Sequence, residues 1–246
     1  MIRALDSVLV VLPARGGSKR ILHKNIKQMC GKAMIYWPLR EILQIFPKSN
    51  IIVSTDSERI ASHVRKLGIA VPFLRPASLA DDHTDTFPVV QHALNWFEEM
   101  HERVDLVLTV YPTAVLLSSS DILSSVSMIL ADESCDMVIS ATSFPFPIQR
   151  AVFENSSGYA EMLQPENFSV RSQDLQECFH DAGQFYLSRA SAIRAGKFFV
   201  GAKVRLHKIH RNNVVDIDTI EDFEVAEQKL SSKLVLGASR ELWPLE

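Results

Sequence analysis

The chain has 246 residues, of which 47% are hydrophobic and 22% are charged, and its formal net charge at pH 7 is −3. This composition is typical of a globular protein with a sizeable core, and it excludes a disordered, collagen-like or small disulfide-stapled chain. Because there is no excess of positive charge, general binding to nucleic acid or to an anionic membrane is excluded as well.

Short apolar segments alternate with helical stretches along the chain. The apolar segments are rich in Val, Ile and Leu, as in strands buried on both faces, and they span residues 8–12, 50–54, 105–111, 136–140, 184–187 and 204–209. Helical spacing predicts helices over residues 57–67, 87–101, 120–131 and 220–233. The alternation predicts an α/β fold, a three-layer sandwich with a mostly parallel sheet.

Two regions interrupt this rhythm. Residues 144–179 are aromatic, polar and Pro-containing, with a turn signal at residues 155–158, and we predict a hairpin-like extension there. Residues 234–246 show no clear period and are interpreted as a C-terminal tail. Since no repeat or linker requires a second domain, residues 1–233 are predicted to form one domain that carries the extension.

Cysteine usage and the first apolar segment bear on the cellular compartment. Cys30, Cys135 and Cys178 are scattered, without CxxC or Cys/His ligand spacing, which favours a reducing cytoplasm. The segment at residues 7–12 is too short to span a bilayer and is followed by no small-residue cleavage site, so it is interpreted as a buried strand. We therefore expect a cytoplasmic protein without membrane contact.

The loop after the first strand combines paired glycines with basic side chains. It reads PARGGSKR at residues 13–20, with KN at residues 24–25, and residues 7–40 contain seven basic residues and no acidic one. Glycines bring backbone N–H groups close to an anion and basic side chains neutralise phosphate, so the loop predicts a triphosphate cradle. GxxxxGK[ST] and GxGxxG are both absent, which disfavours a P-loop or a dinucleotide site. The alternative is a tight strand-to-helix turn with exposed lysines.

A second constellation, VVDIDT, occupies residues 214–219. In an extended segment, residues two apart point the same way, so Asp216 and Asp218 project together while the apolar residues beside them face the core. Two convergent carboxylates suit Mg²⁺, which prefers oxygen ligands and keeps waters and phosphate oxygens. The alternative is that Asp218 or Thr219 only caps the helix at residue 220, with Asp222 completing a Thr-x-x-Asp capping pattern. Capping accounts for Thr219 but not for Asp216.

Five motifs in order resemble a known enzyme family. PARGGSKR with KN, IIVSTDSERIA, VPFLRPASLADD, YPT and VDIDTIEDFEVAE are similar to the CMP-sugar synthetases that activate nonulosonic acids, the sialic acid cytidylyltransferase family. The resemblance spans residues 8–230. It implies a Rossmann-like sheet of the nucleotidyltransferase type, CTP and a nonulosonic acid as substrates, Mg²⁺ as cofactor, and a homodimer formed through the extension.

Within this family, three stretches look most like the branch that activates pseudaminic acid. They are FPFPIQRA at residues 144–151, NFSVRSQDL at residues 167–175 and HDAGQFYLSRA at residues 180–190. The FPFPI run offers two aromatic faces and lacks two N–H donors, so it suits a deoxy sugar with acylamino groups better than a hydroxylated glycerol tail. The alternative is that FPFPI is only a packed connector.

The resemblance also implies a role for individual residues. Nucleotide binding is expected from Ala14, Arg15, Gly16, Gly17, Ser18, Lys19, Asn25, Arg75 and Thr86. The sugar acid is expected to contact Gln149, Arg171, Gln173, Gln184 and Tyr186, with Arg171 pairing with its carboxylate. Mg²⁺ is expected on Asp216 and Asp218, and catalysis from Arg15, Lys24, Asp216 and Asp218. Asp216 is the candidate acceptor for the nucleophile's proton.

Some positions depart from the family pattern or carry competing interpretations. Residues 111–117 read YPTAVLL where sialic acid relatives read QPTSPLR, so the contacts of that Gln and Arg are not carried over. His23 is interpreted as a solvated loop residue. A nucleophile or metal site at Cys178, His180 and Asp181 is not favoured, because ligand spacing and a separate base are lacking.

Two further acidic segments carry no predicted chemistry. Ser54-Thr55-Asp56 is interpreted as a structural turn that starts a helix. Asp81-Asp82 is interpreted as a solvated loop that orders over the nucleotide, rather than as a second metal site.

The motifs together predict cytidylyl transfer. The anomeric hydroxyl of the sugar acid attacks the α-phosphorus of CTP and expels pyrophosphate, giving CMP-pseudaminic acid. Two alternatives stay open: a synthetase for sialic, legionaminic or 3-deoxy-octulosonic acid, and a catalytically silent nucleotide-binding protein on the same fold.

Overall fold

The computed structural model describes residues 5–81 and 84–236. In chain order the strands are β1 (Val8–Pro13), β2 (Gln28–Met29), β3 (Lys32–Ala33), β4 (Ile51–Ser54), β5 (Leu106–Val110), β6 (Met137–Ser143), β7 (Val152–Glu154), β8 (Ala160–Met162), β9 (Phe179–Arg189) and β10 (Val204–Lys208). The α-helices are α1 (Tyr36–Ile42), α2 (Glu58–Lys66), α3 (Thr86–Met100), α4 (Ser119–Leu130), α5 (Ala190–Arg194) and α6 (Ile220–Leu236). None of these helices is long and apolar enough to cross a membrane.

The central sheet has six strands in the order β10-β6-β9-β5-β1-β4. β1 pairs in parallel with β4 and β5, and β10 pairs in parallel with β6. β9 runs antiparallel between β5 and β6. The predicted α/β fold with a mostly parallel sheet is therefore confirmed.

Both faces of the sheet are covered by helices, as the continuous apolar strands require. Along β1, Val8, Val10 and Leu12 pack into a core with α1, α2 and α4, whereas Leu9 and Val11 face a second core with α3 and α5. A third apolar cluster lies under the first loop and packs against α6. The three layers leave the carboxyl ends of β1, β4 and β5 together at one edge, where ligands of open α/β sheets bind.

The extension is a small antiparallel hairpin, as predicted. β7 pairs with β8, and the turn between them is closed by the Asn155 side chain, whose Oδ1 accepts hydrogen bonds from Ser157 N and Tyr159 N, both at 3.0 Å. Gly158 has a φ of 80°, a backbone conformation that favours glycine. The turn predicted from the sequence at residues 155–158 is therefore formed by the Asn155 side chain and the Gly158 backbone.

The structure extends the predicted elements in several places. β9 runs from residue 179, five residues before the predicted segment, and α1, α5 and the β2–β3 hairpin were not predicted. The tail prediction is wrong for residues 234–236, which continue α6. Residues 237–246 lie outside the described part of the chain.

Candidate active site

A cavity of about 340 Å³ opens at the carboxyl edge of β1, β4 and β5. Its lining includes most of the residues predicted to bind nucleotide or to carry catalysis: Arg15, Ser18, Lys19, Lys24, Asn25, Arg75, Thr86 and Asp218. Ala14, Gly16 and Gly17 belong to the same loop without lining the cavity, and Ala14 is fully buried. Side chains separated by more than 200 positions in sequence thus converge on one space.

The first loop is held by contacts on both sides of its glycines. Gly16 N donates a 2.7 Å hydrogen bond to Asp56 Oδ1, so this N–H is directed at a side chain and not at the cavity. A Cβ on Gly16 would lie 2.8 Å from Ser57 Cβ, whereas a Cβ on Gly17 would meet nothing within 4 Å. A glycine is required at position 16 because the backbone there lies too close to the start of α2 for a side chain. The prediction that the Gly16 N–H donates to an anion is wrong in this structure, since the N–H is bonded to Asp56.

Asn25 fixes the loop from the other side. It is 6% exposed, and its Nδ2 donates a 2.9 Å hydrogen bond to the Arg15 carbonyl oxygen. The backbone carbonyl oxygen of Asn25 accepts a hydrogen bond from Ile35 N at 2.9 Å. Main chain and side chain of Asn25 are therefore both hydrogen-bonded, and the buried side chain fixes the Arg15 backbone from which the Arg15 side chain reaches the cavity.

Arg75 supplies a buried positive charge at the end of β4. It is 7% exposed, and its Nη2 and Nε donate to Ser54 O at 2.6 Å and to Ser54 Oγ at 3.2 Å. Burial lowers the pKa of the Arg75 guanidinium; Asp56 raises it, and Arg15 lowers it further. The two hydrogen bonds to Ser54 therefore hold the Arg75 guanidinium in place. Its charged neighbours are the acidic Asp56 and the basic Arg15.

Lys24 and Arg20 connect the first loop to the aspartate segment. Lys24 Nζ donates to Ile217 O at 2.6 Å and lies 3.4 Å from Asp218 Oδ1, and Arg20 Nη2 lies 3.0 Å from Asp218 Oδ2. The Lys24 side chain is 21% exposed and the Arg20 side chain is 67% exposed. Lys24 is therefore the firmer of the two links, because an exposed ion pair is largely screened by solvent.

The carboxylates of Asp216 and Asp218 are close enough to interact electrostatically. Partial burial raises the pKa of Asp216, the Asp218 carboxylate raises it further, and Lys24 lowers it. Ile217 between them is fully buried, which confirms the predicted alternation of apolar and acidic side chains. The capping pattern is also present, since Thr219 N donates to Asp222 Oδ2 at 2.8 Å and Asp222 N donates to Thr219 Oγ1 at 3.2 Å.

The donor set fits a magnesium ion that shares its shell with a ligand. Within the described residues, no group of three or more His, Cys, Asp or Glu side chains is arranged to hold a metal ion. Asp218 lines the cavity, whereas Asp216 does not line it but interacts electrostatically with Asp218. Two such carboxylates are nevertheless what Mg²⁺ uses when water and phosphate oxygens complete its octahedron. Asp216 and Asp218 are the residues that would hold it.

The residues predicted to contact the sugar do not gather around this first cavity. Gln149 and Gln173 line a second cavity of about 360 Å³ at the base of the extension, together with Phe144 and Phe146. Arg171 is exposed on the same extension. Within the described residues of one chain, these extension residues therefore lie apart from the first loop.

The two sugar candidates on β9 have different surroundings. Gln184 is 2% exposed and lines neither cavity; its Nε2 donates to Asn213 O at 2.6 Å. Tyr186 packs edge-on against Tyr111, with ring centroids 5.6 Å apart, and Tyr111 lines the first cavity. Tyr186 is therefore the one of the pair that lies next to the cavity wall.

The alternatives at other polar positions are resolved by their contacts. Gln149 Nε2 lies 3.2 Å from Cys178 Sγ and donates to Gln176 O at 2.8 Å, so Cys178 is engaged in packing the extension. His180 Nδ1 contacts the Asp181 carbonyl oxygen at 2.8 Å. Asp81 lines the cavity and accepts from Thr84 N at 2.6 Å, while Asp82 lies outside the described residues.

Two residues of the site were not predicted from the sequence. Asp56 was interpreted as part of a turn, yet it is the acceptor that holds Gly16. Tyr111 was treated as a lost family contact, yet its hydroxyl lies 2.9 Å from Thr86 Oγ1 at the cavity. The available signal was their position, because Tyr111 directly follows β5 and Asp56 lies two residues after the end of β4, at the same sheet edge.

Sequence comparisons connect this geometry to characterised proteins. Residues 9–209 match a family model described as cytidylyltransferase. A pseudaminic acid cytidylyltransferase of Campylobacter jejuni serotype O:2 is 35% identical over 218 residues, which are 89% of this chain and 94% of the relative. A CMP-N,N'-diacetyllegionaminic acid synthase of Legionella pneumophila is 29% identical over 230 residues, which are 90% of this chain and 95% of the relative.

Solved structures share the fold. The structure of a CMP:2-keto-3-deoxy-manno-octonic acid synthetase complexed with CTP superposes with a TM-score of 0.70 at 16% identity, covering 92% of this chain and 99% of that chain. The nucleotidyltransferase type of sheet, expected from the motifs, is thereby confirmed.

Proposed function

The chain belongs to the cytidylyltransferase family, and from this premise we propose that it transfers CMP from CTP to pseudaminic acid, releasing pyrophosphate. The observation that carries the proposal is one cavity lined by Arg15, Lys19 and Lys24 together with Asp218. It is supported by the relatives named for pseudaminic acid, which are 34% and 35% identical over 89% of the chain.

The chain's own residues bind and orient the triphosphate. Arg15 and Lys19 line the cavity, and Arg75 adds a charge whose position is fixed by Ser54. Positive groups that are already in place offset the charge that develops on the departing pyrophosphate without reorganising during the reaction. The sugar's anomeric oxygen forms the new bond to the α-phosphorus while the bond to the bridging oxygen breaks, and Asp216 is proposed to take the hydroxyl proton.

Magnesium is proposed as the cofactor, held by Asp216 and Asp218. When bound, it would neutralise phosphate charge and lower the pKa of a coordinated hydroxyl. Lys24 keeps the Asp218 segment next to the first loop through its bonds to Ile217 O and Asp218 Oδ1. In the proposed function, this contact keeps the aspartates at a fixed position relative to the basic first loop.

Sugar selection is proposed to reside in the FPFPI run at residues 144–148. Phe144 and Phe146 line the second cavity together with Gln149, so apolar faces adjoin an amide in the same space. Hydroxyls of a glycerol tail would lose water against these rings, at about 1–3 kcal/mol for each one left unpaired. A deoxy sugar with acylamino groups has fewer such hydroxyls.

A pyrophosphate-release assay with CTP across a panel of sugar acids tests this proposal. We expect kcat/KM for pseudaminic acid to exceed that for N-acetylneuraminic acid by at least about 100-fold. Equal values, or a preference for N-acetylneuraminic acid, would reject the pseudaminate assignment. Absence of turnover with every acid of the panel would reject the activity itself.

A homodimer is part of the proposal, with the extension at its interface. Large apolar side chains are exposed on the extension: Phe146, Val152, Phe153, Tyr159, Leu163 and Phe168, with exposures from 47% to 80%. Such a concentration on one element is typical of a protein–protein interface. In the dimer, Arg171 and its neighbours would complete the sugar site of the partner, which accounts for the separation of the two cavities in one chain.

Sedimentation and subunit mixing test the dimer. We expect Phe146→Ser combined with Phe168→Ser to give monomers, and Met100→Ser, a change at an exposed apolar residue on α3, to leave the mass unchanged. Mixing inactive Arg171→Ala and Asp218→Asn chains is expected to restore about a quarter of the activity, because half of the dimers then hold one intact site. No recovery in exchanging dimers would place Arg171 and Asp218 in the same chain's site.

Cytoplasmic location is the remaining part of the proposal. Cys30, Cys135 and Cys178 are all free thiols in the structure. Free cysteines are usual in a reducing compartment.

A further inference from the structure

The segment that carries the two aspartates has no regular secondary structure. In the described part of the chain, residues 214–218 lie between a short turn, Arg211–Asn213, and α6, outside every helix and strand. Neither a sheet ladder nor a helix therefore sets the positions of Asp216 and Asp218. Those positions depend on contacts from other elements.

Side chains from three other elements donate hydrogen bonds to backbone carbonyls of this segment or of the residue before it. Gln184 Nε2, on β9, donates to Asn213 O at 2.6 Å. Lys229 Nζ, on α6, donates to Val214 O at 3.2 Å. Lys24 Nζ, in the first loop, donates to the carbonyl between the two aspartates at 2.6 Å. The segment is thus fastened ahead of the aspartates and again between them.

The backbone around Gln184 connects this fastening to the wall of the first cavity. Gln184 O accepts a 3.0 Å hydrogen bond from Tyr111 N, and Tyr111 lines that cavity. The preceding residue, Gly183, has a φ of 61°, which favours glycine. A Cβ on Gly183 would lie 3.9 Å from Asp216 Oδ1. β9 therefore passes directly beside the Asp216 carboxylate, and its next side chain holds the aspartate segment.

A bulge in β9 gives Gln184 this position. The pairing of β9 with β6 shifts register between Ile139 and Ala141. Ser140 Oγ, between them, accepts hydrogen bonds from Phe185 N at 3.1 Å and from Gln184 N at 3.4 Å. Bulges next to active sites commonly redirect a side chain, and here the redirected side chain is Gln184.

The Gln184 amide is present although half of it is unpaired. Gln184 is 2% exposed, and its Oε1 is buried without a hydrogen-bond partner among the described residues. An unpaired buried acceptor costs free energy of folding, which an apolar side chain of similar size would avoid. Asn213 is an exposed residue, so water could replace the amide at its carbonyl. Folding alone therefore does not require an amide at position 184, whereas fastening the Asn213 carbonyl does.

Lys229 fastens the neighbouring carbonyl from α6. Its Nζ lies 3.2 Å from Val214 O and 3.4 Å from Arg211 O, at the end of the short turn that precedes the aspartates. A lysine near the last carbonyls of a helical turn is favourable, because those carbonyls lack partners within the turn. Lys229 therefore sets where the turn ends and where the aspartate segment begins.

We propose that Gln184 and Lys229 are positioning residues that fix the aspartate segment, so that Asp216 and Asp218 are already in place for Mg²⁺. This rests on the proposed function, because the metal ion belongs to it. In this role Gln184 acts through the Asn213 carbonyl, and not as the direct sugar contact that the family resemblance implies. Ligands that are ordered in advance bind a metal ion without the entropy cost of ordering the segment.

Gln184→Met and Lys229→Met test the proposal, because each removes the donor and keeps an unbranched side chain. We expect each to raise the Mg²⁺ concentration for half-maximal pyrophosphate release about three- to ten-fold, the scale of one hydrogen bond, while kcat at saturating Mg²⁺ stays within about two-fold of the wild type. Lys229→Arg, which keeps donors, is expected to retain the wild-type Mg²⁺ dependence. The KM for the sugar acid is expected to be unchanged in Gln184→Met, and its melting temperature unchanged or higher.

Hydrogen exchange of the full chain without metal ion or nucleotide is a second measurement that needs no turnover. Val214 N and Asp218 N are both hydrogen-bonded in the structure, so their exchange reports local opening of the segment. We expect faster exchange at residues 214–218 in Gln184→Met and Lys229→Met, with exchange in β1 unchanged.

Lys233→Met is the matched control. Lys233, on the same helix, donates to Leu116 O at 3.0 Å and to Leu117 O at 3.2 Å, so this variant removes the same kind of hydrogen bond from a different segment. We expect it to leave the Mg²⁺ dependence and the exchange of residues 214–218 as in the wild type.

Several results would overturn the proposal. Unchanged Mg²⁺ dependence in folded Gln184→Met and Lys229→Met would do so, as would unchanged exchange of residues 214–218. A higher KM for the sugar acid in Gln184→Met, with the Mg²⁺ requirement unchanged, would make Gln184 a sugar contact. Loss of folding in Gln184→Met would show that the amide serves the core. If the wild type releases no pyrophosphate with any sugar acid, the proposed function fails, and hydrogen exchange still decides whether Gln184 and Lys229 hold the segment.

Discussion

Replacing Gly16 by alanine tests how the first loop is held against α2. The added Cβ would lie 2.8 Å from Ser57 Cβ and 3.3 Å from Ser57 Oγ. Since carbon atoms pack best at about 3.5–4.0 Å, the loop or the helix start must move by about 1 Å. That movement stretches the 2.7 Å hydrogen bond from Gly16 N to Asp56 Oδ1, the contact that anchors the loop.

The expected cost divides between stability and activity. Overpacking of this size destabilises a protein by about 1–3 kcal/mol. A displacement of about 1 Å at a positioning loop is expected to lower turnover by about 100-fold, because the side chains proposed to bind phosphate would leave their productive geometry. Thermal unfolding and CTP-dependent pyrophosphate release measure the two effects separately.

The chain supplies a matched control and a rescue. Gly17→Ala is expected to be near wild type, since its Cβ meets nothing within 4 Å. Combining Gly16→Ala with Ser57→Gly removes the clashing Cβ, and glycine at this helix N-cap costs only a few tenths of a kcal/mol, so activity is expected to return. Equal activities of Gly16→Ala and Gly17→Ala, or no recovery in the combined variant, would refute the packing explanation.

Three further changes probe the charges of the site. Asp218→Asn is expected to keep the wild-type melting temperature while losing nearly all turnover; Mg²⁺-dependent activity at the wild-type level would remove Asp218 from the metal site. Arg15→Ala is expected to lower kcat/KM by removing about 3 kcal/mol of transition-state stabilisation, and a near-normal kcat/KM would move the phosphate site elsewhere. Asp222→Asn is expected to lower stability by about 1 kcal/mol at pH 7. Hydrogen bonds from Thr219 and Asp218 lower the pKa of Asp222, so this contribution is complete above its unfolded value, near 3.8, and disappears as the pH falls through the folded pKa. A stability difference that persists unchanged at pH 2 would contradict the charge-based part of the cap.

The sheet was predictable because its strands are buried on both faces. Residues 8–12 are apolar without interruption, and that pattern follows directly from helices covering each side. The predicted tail failed at residues 234–236, where α6 continues although the sequence shows no clear period. The extent of β9 was underestimated because its first half is polar and contains the bulge at Gly183.

The candidate site was predictable where a local motif carried the chemistry. The basic loop and the paired aspartates could be identified from spacing and from family resemblance. The contacts that orient them could not, because they join distant positions: Lys24 reaches Ile217 across 193 positions, and Asp56 reaches Gly16 across 40. Such pairings depend on strand order, which the motifs do not encode.

We expect Asp218 to exchange its charge partners when the proposed ligands bind. In the structure, Asp218 is neutralised by Arg20 and Lys24, at 3.0 and 3.4 Å. With Mg²⁺ and CTP bound as proposed, we expect the carboxylate to face the metal ion while the Arg20 side chain turns to the phosphates. Asp218 and Arg20 then each exchange one opposite charge for another, so neither is left without a partner on binding or on product release. Arg20, whose side chain is 67% exposed, moves at little cost, whereas Lys24 stays tied to the backbone at Ile217. We therefore expect Lys24 to preserve the geometry of the site and Arg20 to move toward the bound substrate.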